Sequence, residues 1–534
     1  MRTGSVETLW PTLLILAIGA ICVEAGETLY NGIVLPSPWP PRSEKLTNEP
    51  MKPPYLASPP AVIPIDVGRQ LFVDDFLVAE TTLKRTFHLA EIHPASPVLK
   101  PDTDWETSTK RDPTAMVFSD GVWFDPADKR FKMWYMGGYV KGTCYATSKD
   151  GIQWEKPALD VKPGTNVVQE GWRDSSTTWL DLDEKDPAKR WKIFVVQSHE
   201  KKWKLSVHFS PDGIHWGERV AWSTPVGDRT TVFYNPFRRV WVYGIRSGML
   251  TRSRFYREHP DALAGATWTP DEAVPWVGAD TNDPPRDDLK IQPQLYNLDA
   301  APYESLLLGL FTIWPGQPKD RPKPNYLCLG FSRDGFHWSR PDHRPFIGVS
   351  EKSGDWNWGN VQSAGGGCLV VGDKLYFYFS ARAGIKGSTA SGVCTTGLAT
   401  LRRDGFASME GDGSLTTRPV SFRGKHLFVN SAGQLEAEVL DAGGEPIAPF
   451  TRDHCLVGGA SAPRDSTCQP VRWRGADDLS ALAGRPVRFR FHLKDGRLYS
   501  FWVSPDASGA SHGYVAAGGP GFTGPTDTVG AGGR

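Results

Sequence analysis

The chain is predicted to be all-β: a five-bladed β-propeller followed by a C-terminal β-sandwich. Three observations carry that expectation. A seven-residue box recurs as SKDGIQW at 148–154, SPDGIHW at 210–216 and SRDGFHW at 332–338, with a degenerate copy, RRDGFAS, at 402–408. The box aspartates, Asp150, Asp212, Asp334 and Asp404, are separated by 62, 122 and 70 residues. The middle gap is two periods, so one of five units has lost its signature. The composition agrees: 21 Trp, 15 Tyr and 25 Phe accompany 55 Gly and 44 Pro in 534 residues, many aromatics and turn formers with few long helical patterns.

Each unit has the same internal order. A polar, acid-bearing segment leads into a first strand, an aromatic-rich second strand follows, and a third runs into the box. Unit one reads RDPTAMVFSDGVWFD, FKMWYMGG and TCYATSKDGIQW; unit two reads DSSTTWLDLD, WKIFVVQS and KLSVHFSPDGIHW; unit four reads LKIQPQLYNLD, SLLLGLFTIW and YLCLGFSRDGFHW. Short alternating strands at a fixed period read as propeller blades, and five of them close. In the box, Asp-Gly makes a tight turn and the Trp packs between blades. Its recurrence in most blades marks it as structural. The missing copy is expected between Val220 and Leu289, where Ser253 and Trp268 flank an expanded hairpin.

After Glu410 the period stops. HLFVNSA, QLEAEVLD, VRFRFHL and LYSFWVS alternate between breaks at AGGEP and KDGR, as in a sandwich. The expected organisation is a signal peptide at 1–25, a Pro-rich linker at 26–65, the propeller at 66–415, the sandwich at 416–505 and a disordered Gly-rich tail at 506–534. Ten prolines in 36–64 give the linker an extended character. The apolar run Leu9 to Val23, with Val23-Glu24-Ala25 as a cleavage site, is too short to span a bilayer comfortably. An exported chain with no membrane span after cleavage follows. A closed propeller needs no partner, so a monomer is expected.

Sixty Lys+Arg balance sixty Asp+Glu, which excludes an electrostatic nucleic-acid binder as the default. Cys22 lies in the signal. The six other cysteines can form disulfides after export, with Cys455 and Cys468 the best pair, while Cys144 and Cys328 occupy equivalent blade positions and read as buried thiols. No Cys/His spacing suggests zinc. No cofactor is expected. The cluster Asp280, Asp283, Asp287 and Asp288 leaves room for a structural calcium, although it lacks EF-hand spacing and an exposed loop is the simpler reading.

A propeller's first strands offer their leading residues to one central funnel. The candidates there are Arg111 and Asp112 in blade one, Asp174 and Ser175 in blade two, and Asp228 and Arg229 in blade three. Asp288, Lys290 and Gln292 follow in blade four, and Asn360 and Gln362 in blade five. Converging acids suit glycosidic cleavage: one protonates the leaving oxygen and another attacks or activates water. Arginine and lysine among them grip hydroxyls or anionic groups. Against this, Asp112-Pro113 is a common turn, Asp174 can cap a turn with its serines, and Asp228-Arg229 can be a local ion pair. Glu106, in DWET just before blade one, is an alternative for the acid, although a solvated loop is the simpler reading, and His199-Glu200 is a lesser candidate.

These residues resemble the five-bladed propeller glycoside hydrolases of families 32 and 43 and their relatives, over roughly 66–505, with a family-32-like sandwich. Those families place an acid at the start of the first strand in blades one, two and three, matched by Asp112, Asp174 and Asp228. The resemblance implies nucleophile or base for Asp112, transition-state stabiliser for Asp174 and general acid for Asp228. The chain departs from the pattern in having Asp as the third acid, where Glu is usual, and in lacking Asn-Asp-Pro-Asn-Gly. The expected function is a secreted hydrolase acting on a poly- or oligosaccharide. The alternatives are a non-catalytic carbohydrate-binding or adhesion propeller and, third, a polysaccharide lyase, which requires a Tyr or His base beside a cation.

Overall fold

Five antiparallel sheets, each led by an inner strand, form the propeller in the computed structural model, which describes residues 26–108, 112–457 and 465–533. The expected signal segment and Arg111 lie outside the described residues. The inner strands are Ala115–Asp125, Ser176–Leu180, Thr231–Asn235, Gln294–Glu304 and Asn360–Ser363 in blades one to five. Blade five takes its outermost strand, Glu91–Ile92, from the chain ahead of blade one. The ring is thus closed by hydrogen bonds between its beginning and its end, which spares a sheet edge.

The recurrent box behaves as expected. In its three intact copies the serine Oγ accepts the glycine N–H at 2.8, 2.9 and 3.0 Å. The aspartate Oδ1 accepts the next two N–H groups at 2.8–2.9 Å. Gly151, Gly213 and Gly335 take φ of +75°, +79° and +87°, which a side chain disfavours. An aromatic of the preceding blade then docks on the box. Tyr378 donates to Gly151 O, Trp134 to Gly213 O and Trp276 to Phe336 O, at 2.6–2.7 Å. Blade three has no box. Its outer strands Ser253–His259 and Val274–Gly278 are joined by short 3-10 turns, with Trp268 packed on Tyr243.

The C-terminal unit joins eight strands in one hydrogen-bonded network, with Ala407–Thr417, His426–Leu440 and Arg488–Ser504 at its centre. Gln70–Leu71, Val78–Thr81 and Lys84–Phe87 belong to this network. The propeller therefore begins at Glu91 and ends before Ala407, where 66 and 415 were expected. The Pro-rich stretch is not a loose tether either: Ile63–Pro64 pairs with Val420–Ser421, and Leu29, Ile33, Leu35, Tyr55 and Ile63 fill the core beneath the sheet. Apolar residues between the prolines supply enough buried surface to fix the segment.

The Gly-rich tail is also placed. Tyr514–Val515 adds to the inner strand of blade four, and Phe522 and Asp527 are buried. The tail leaves a cavity of about 40 Å³ against Trp123, Trp179 and Tyr234, near the ends of three inner strands. Where propeller, sheet and tail meet, Arg69 binds Asp404 at 3.0 Å, and Arg403 binds Glu304 at 3.0 Å and Asp527 at 2.8 Å, all within buried side chains. Asp404 is the aspartate of the degenerate box, recruited here for a different purpose.

Cys455 is a thiol whose sulfur accepts the Ala437 N–H. The expected Cys455–Cys468 bridge is not formed, because Cys455 pairs in register with Trp473, five positions along the strand from Cys468. Cys144 and Cys328 are buried thiols, as expected.

Candidate functional site

The funnel is assembled from the starts of the inner strands, stitched across blade boundaries. Arg173 grips Asp120 with two hydrogen bonds of 2.6 and 2.8 Å, tying blade two to blade one. Ser175 Oγ donates to Asp228 O at 2.9 Å, tying blade two to blade three. Arg254 donates to Arg229 O and, at 2.7 Å, to Tyr296 O, tying blade three to blade four. Below this level Ser119, Asn297 and Ser363 all donate to Asp299 Oδ2, a buried polar plug that fills the channel.

Two acids of the expected set come together. Asp174 precedes its strand, with its Oδ1 accepting the Ser175 N–H at 2.8 Å. Burial pushes its carboxyl above the ordinary range, Arg229 opposes this, and the neighbouring Asp228 adds to it. Asp228 Oδ1 lies 3.3 Å from Arg246 Nε. Asp112 stands at the start of blade one, with its Oδ1 accepting the Gly392 N–H of blade five at 3.0 Å.

Arg229 is 1% exposed. It donates one hydrogen bond, from Nη2 to Ser119 Oγ at 2.9 Å, while its Nε and Nη1 have no hydrogen-bond partner. Its guanidinium lies 3.9 Å from the Phe118 ring centroid and 5.9 Å from that of Tyr296. Phe118 also has the Arg382 guanidinium at 5.5 Å, and Tyr296 has Lys323 at 4.8 Å and Arg252 at 5.0 Å. Burial raises the Tyr296 phenol, yet Lys323, Arg229 and Arg382 together hold it below its ordinary range.

Phe118 and Tyr296 share a backbone feature. Ladder pairing in blade one breaks between Met116 and Gly121, with Ser119 at φ +64°, and in blade four between Leu295 and Asn297. Tyr296 therefore sits on a β-bulge of one extra residue and Phe118 on a longer break in the ladder, and such irregularities re-aim side chains and occur beside functional sites. The sequence reading missed Phe118, Tyr296, Arg252, Lys323 and Arg382. Phe118 and Tyr296 were inside the strands it identified, but strict alternation does not reveal an extra residue.

Other expected residues are elsewhere. Asp288, Lys290 and Gln292 are exposed on the approach to blade four, whose inner strand starts only at Gln294. Asp288 is bound by Arg286, and Gln292 donates to Asp280 O. Asn360 and Gln362 are buried supports: Asn360 Nδ2 donates to Lys323 O at 2.7 Å, and Gln362 Nε2 to Asn360 Oδ1 at 2.8 Å. They position the lysine. Glu106 is buried and satisfied by Tyr135, Lys156 and two backbone N–H groups, so it is not the solvated loop residue expected. His199 stacks on Trp222 at the end of a hairpin. In the acid cluster Asp280, Asp283 and His343 have ligand atoms near one another, but Arg340 lies 2.5 Å from Asp283 and 3.1 Å from Asp280. The guanidinium takes the place of a calcium, and these residues do not fit one.

No protein-family model matches the chain. It is similar to sucrose-6-phosphate hydrolase of Escherichia coli, 23% identical over 163 residues, which is 27% of this chain; the chain spans about a third (32%) of that relative's length. Among solved structures it is similar to an N-acetylgalactosamine deacetylase from F. plautii, at 16% identity and a TM-score of 0.39 over 58% of this chain and 97% of the other. It is also similar to a thermostable family-43 glycoside hydrolase, at 12% identity and a TM-score of 0.36 over 55% and 93%.

Proposed function

We propose that the protein is an exported glycoside hydrolase acting on a poly- or oligosaccharide in the propeller funnel. In this reading Asp174 is the general acid, and Asp228 is the carboxylate that attacks the anomeric carbon or activates water. The observation that carries it is the unequal environment of the two neighbours. Asp174 is raised by burial and by Asp228, whereas Asp228 lies against the Arg246 guanidinium. Glycosidic cleavage uses two carboxyls in unlike surroundings, one placed to donate a proton and the other to attack or to activate water. This reassigns the roles implied by resemblance, with Asp112 left to stabilise charge on the sugar ring. The apolar run Leu9 to Val23 supports export. Among the described residues no helix is long and apolar enough to cross a membrane.

The test is sugar release from polysaccharides and from aryl glycosides with good and poor leaving groups. Asp174→Asn should lose about 10²–10⁴-fold on poor leaving groups and much less on good ones, because only the former need the acid. Asp228→Asn should lose activity on both. Equal loss in Asp174→Asn on both would overturn its assignment. Retained binding without release from any substrate would favour the non-catalytic reading. A second reading has its own observation: Tyr296 beside Lys323 is the base-plus-cation pair that a lyase requires. An unsaturated, UV-absorbing product would distinguish it.

A further inference from the structure

Four cations around the funnel lack an ion-pair partner among the described residues: Arg229, Arg252, Lys323 and Arg382. They come from three blades, and they converge on the Phe118 and Tyr296 rings. Arg229 and Arg382 are 1% and 5% exposed and keep N–H groups without acceptors: Nε and Nη1 of Arg229, and Nε of Arg382. Burying a guanidinium without a counterion is costly, and nothing in the composition forces it. The chain as a whole balances sixty cations with sixty anions.

The local acids do not restore the balance. Asp228 is matched by Arg246. Asp174 is raised above the ordinary carboxylate range by burial and by Asp228, with Arg229 opposing. Asp120 is engaged by Arg173, and Asp299 lies deeper, held by Ser119, Asn297 and Ser363. Lys323 and Arg252 are partly exposed, so they present their charge to a bound molecule. Arg229 and Arg382, both buried, lie against the same two rings. Asn360, by holding the Lys323 carbonyl, fixes the lysine in place.

We propose that the sugar bound in the funnel carries an anionic group, a carboxylate or an ester of sulfate or phosphate, seated over Tyr296 between Lys323 and Arg252. The inference rests on the funnel being the sugar site and names the class of sugar it takes. The low-lying Tyr296 phenol agrees with it, since the same cations that stabilise a phenolate stabilise a ligand's charge.

The test is equilibrium binding by calorimetry to the full-length protein carrying Asp228→Asn, so that no turnover is needed. The probes are oligogalacturonide and oligoglucuronide with their methyl esters, which delete the charge and keep the sugar. N-acetylgalactosamine 4-sulfate with N-acetylgalactosamine, and glucose 6-phosphate with glucose, separate the other sources. At least one charged member should bind tenfold or more tightly than its neutral partner, and its affinity should fall with added salt. Lys323→Met and Arg252→Met should each remove most of that preference, and Lys323→Arg should retain it. In the Tyr296 titration, read as wild type minus Tyr296→Phe, the ligand should move phenol ionisation to higher pH. Equal binding of charged and neutral members, no binding of any charged member, or a preference unaffected by both Met variants would overturn the proposal. Charged-sugar binding with no bond cleaved by the wild type would sink the hydrolase reading and leave this one standing. Cleavage of neutral glycosides unaffected by the Met variants would do the reverse.

Discussion

At the junction between propeller and C-terminal sheet, Arg69 and Arg403 are buried among Glu304, Asp404 and Asp527, with ion pairs of 2.8–3.0 Å and further bonds from Tyr303, Ser500 and Asn430 to Asp404. In the funnel, Arg229 and Arg382 are as deeply placed, yet each meets aromatic faces and hydroxyls and no paired carboxylate. Both regions bury arginine; only one neutralises it. The junction spends its charge inside the protein and so acts as cement. Guanidinium donors are left over in both regions, but only the funnel lacks the paired carboxylate, which suits a site and not a fastening, because a buried guanidinium is stabilised chiefly by a counterion beside it.

The largest expected effect breaks the cement. Asp404→Ala leaves Arg69 without its nearest carboxylate, and should cost about 3–5 kcal/mol, read as a fall in the midpoint of urea unfolding. A cost below about 1 kcal/mol would show that the network is not what holds the two units together.

Acid sharpens the same contrast. Burial raises Asp404, but Arg69 and Arg403 overcome that and bring it down to about 2. A carboxyl lowered in the folded state adds stability above its unfolded pKa and loses it as pH falls toward the folded value. Asp125 and Asp212, also brought down to about 2 by their partners against burial, act in the same direction. Glu304, raised by burial, works the opposite way and loses stability as pH rises through its raised pKa. Stability should therefore fall from pH 4 to pH 2, and Asp404→Asn should flatten the slope by up to about 1.4 kcal/mol per pH unit. An unchanged slope in urea titrations at successive pH values would contradict the paired assignment.

A blade-level test is intermediate. Asp334→Ala unlatches one box, leaving one buried and one half-buried N–H group without acceptors, at about 1–3 kcal/mol. The smallest expected change in stability belongs to the funnel. Arg252→Met should stay within about 0.5 kcal/mol of the wild type while sugar binding drops. If it unfolds the protein instead, the funnel cations are cement after all.

The blades were legible because a propeller repeats its solution: Asp-Gly boxes at a fixed period record the same turn, made with the same hydrogen bonds, in three blades. Blade three was found only by arithmetic, since its box has been replaced by the stretch around Trp268. In the site, Asp174, Asp228 and Arg229 were legible because each stands just ahead of an inner strand. Asp288, Lys290 and Gln292 were misplaced because blade four's strand starts later than its repeat position suggests. Tyr296 and Phe118 were invisible because a break in ladder pairing inserts residues without marking the sequence.

By itself, then, the sequence determined the all-β class, the five blades, the turn chemistry between them and three acids at equivalent strand starts. These are local matters, set by alternation, by glycine at positive φ and by the side chains that cap a turn. Tertiary structure decided the rest. It paired Glu91–Ile92 with the last blade, packed the proline-rich stretch and the glycine-rich tail into place, gave Asp404 to a buried ion network and turned two aromatic rings toward unpaired cations. Each of these depends on groups tens to hundreds of residues apart, and burial, charge and desolvation act on distance in space rather than along the chain.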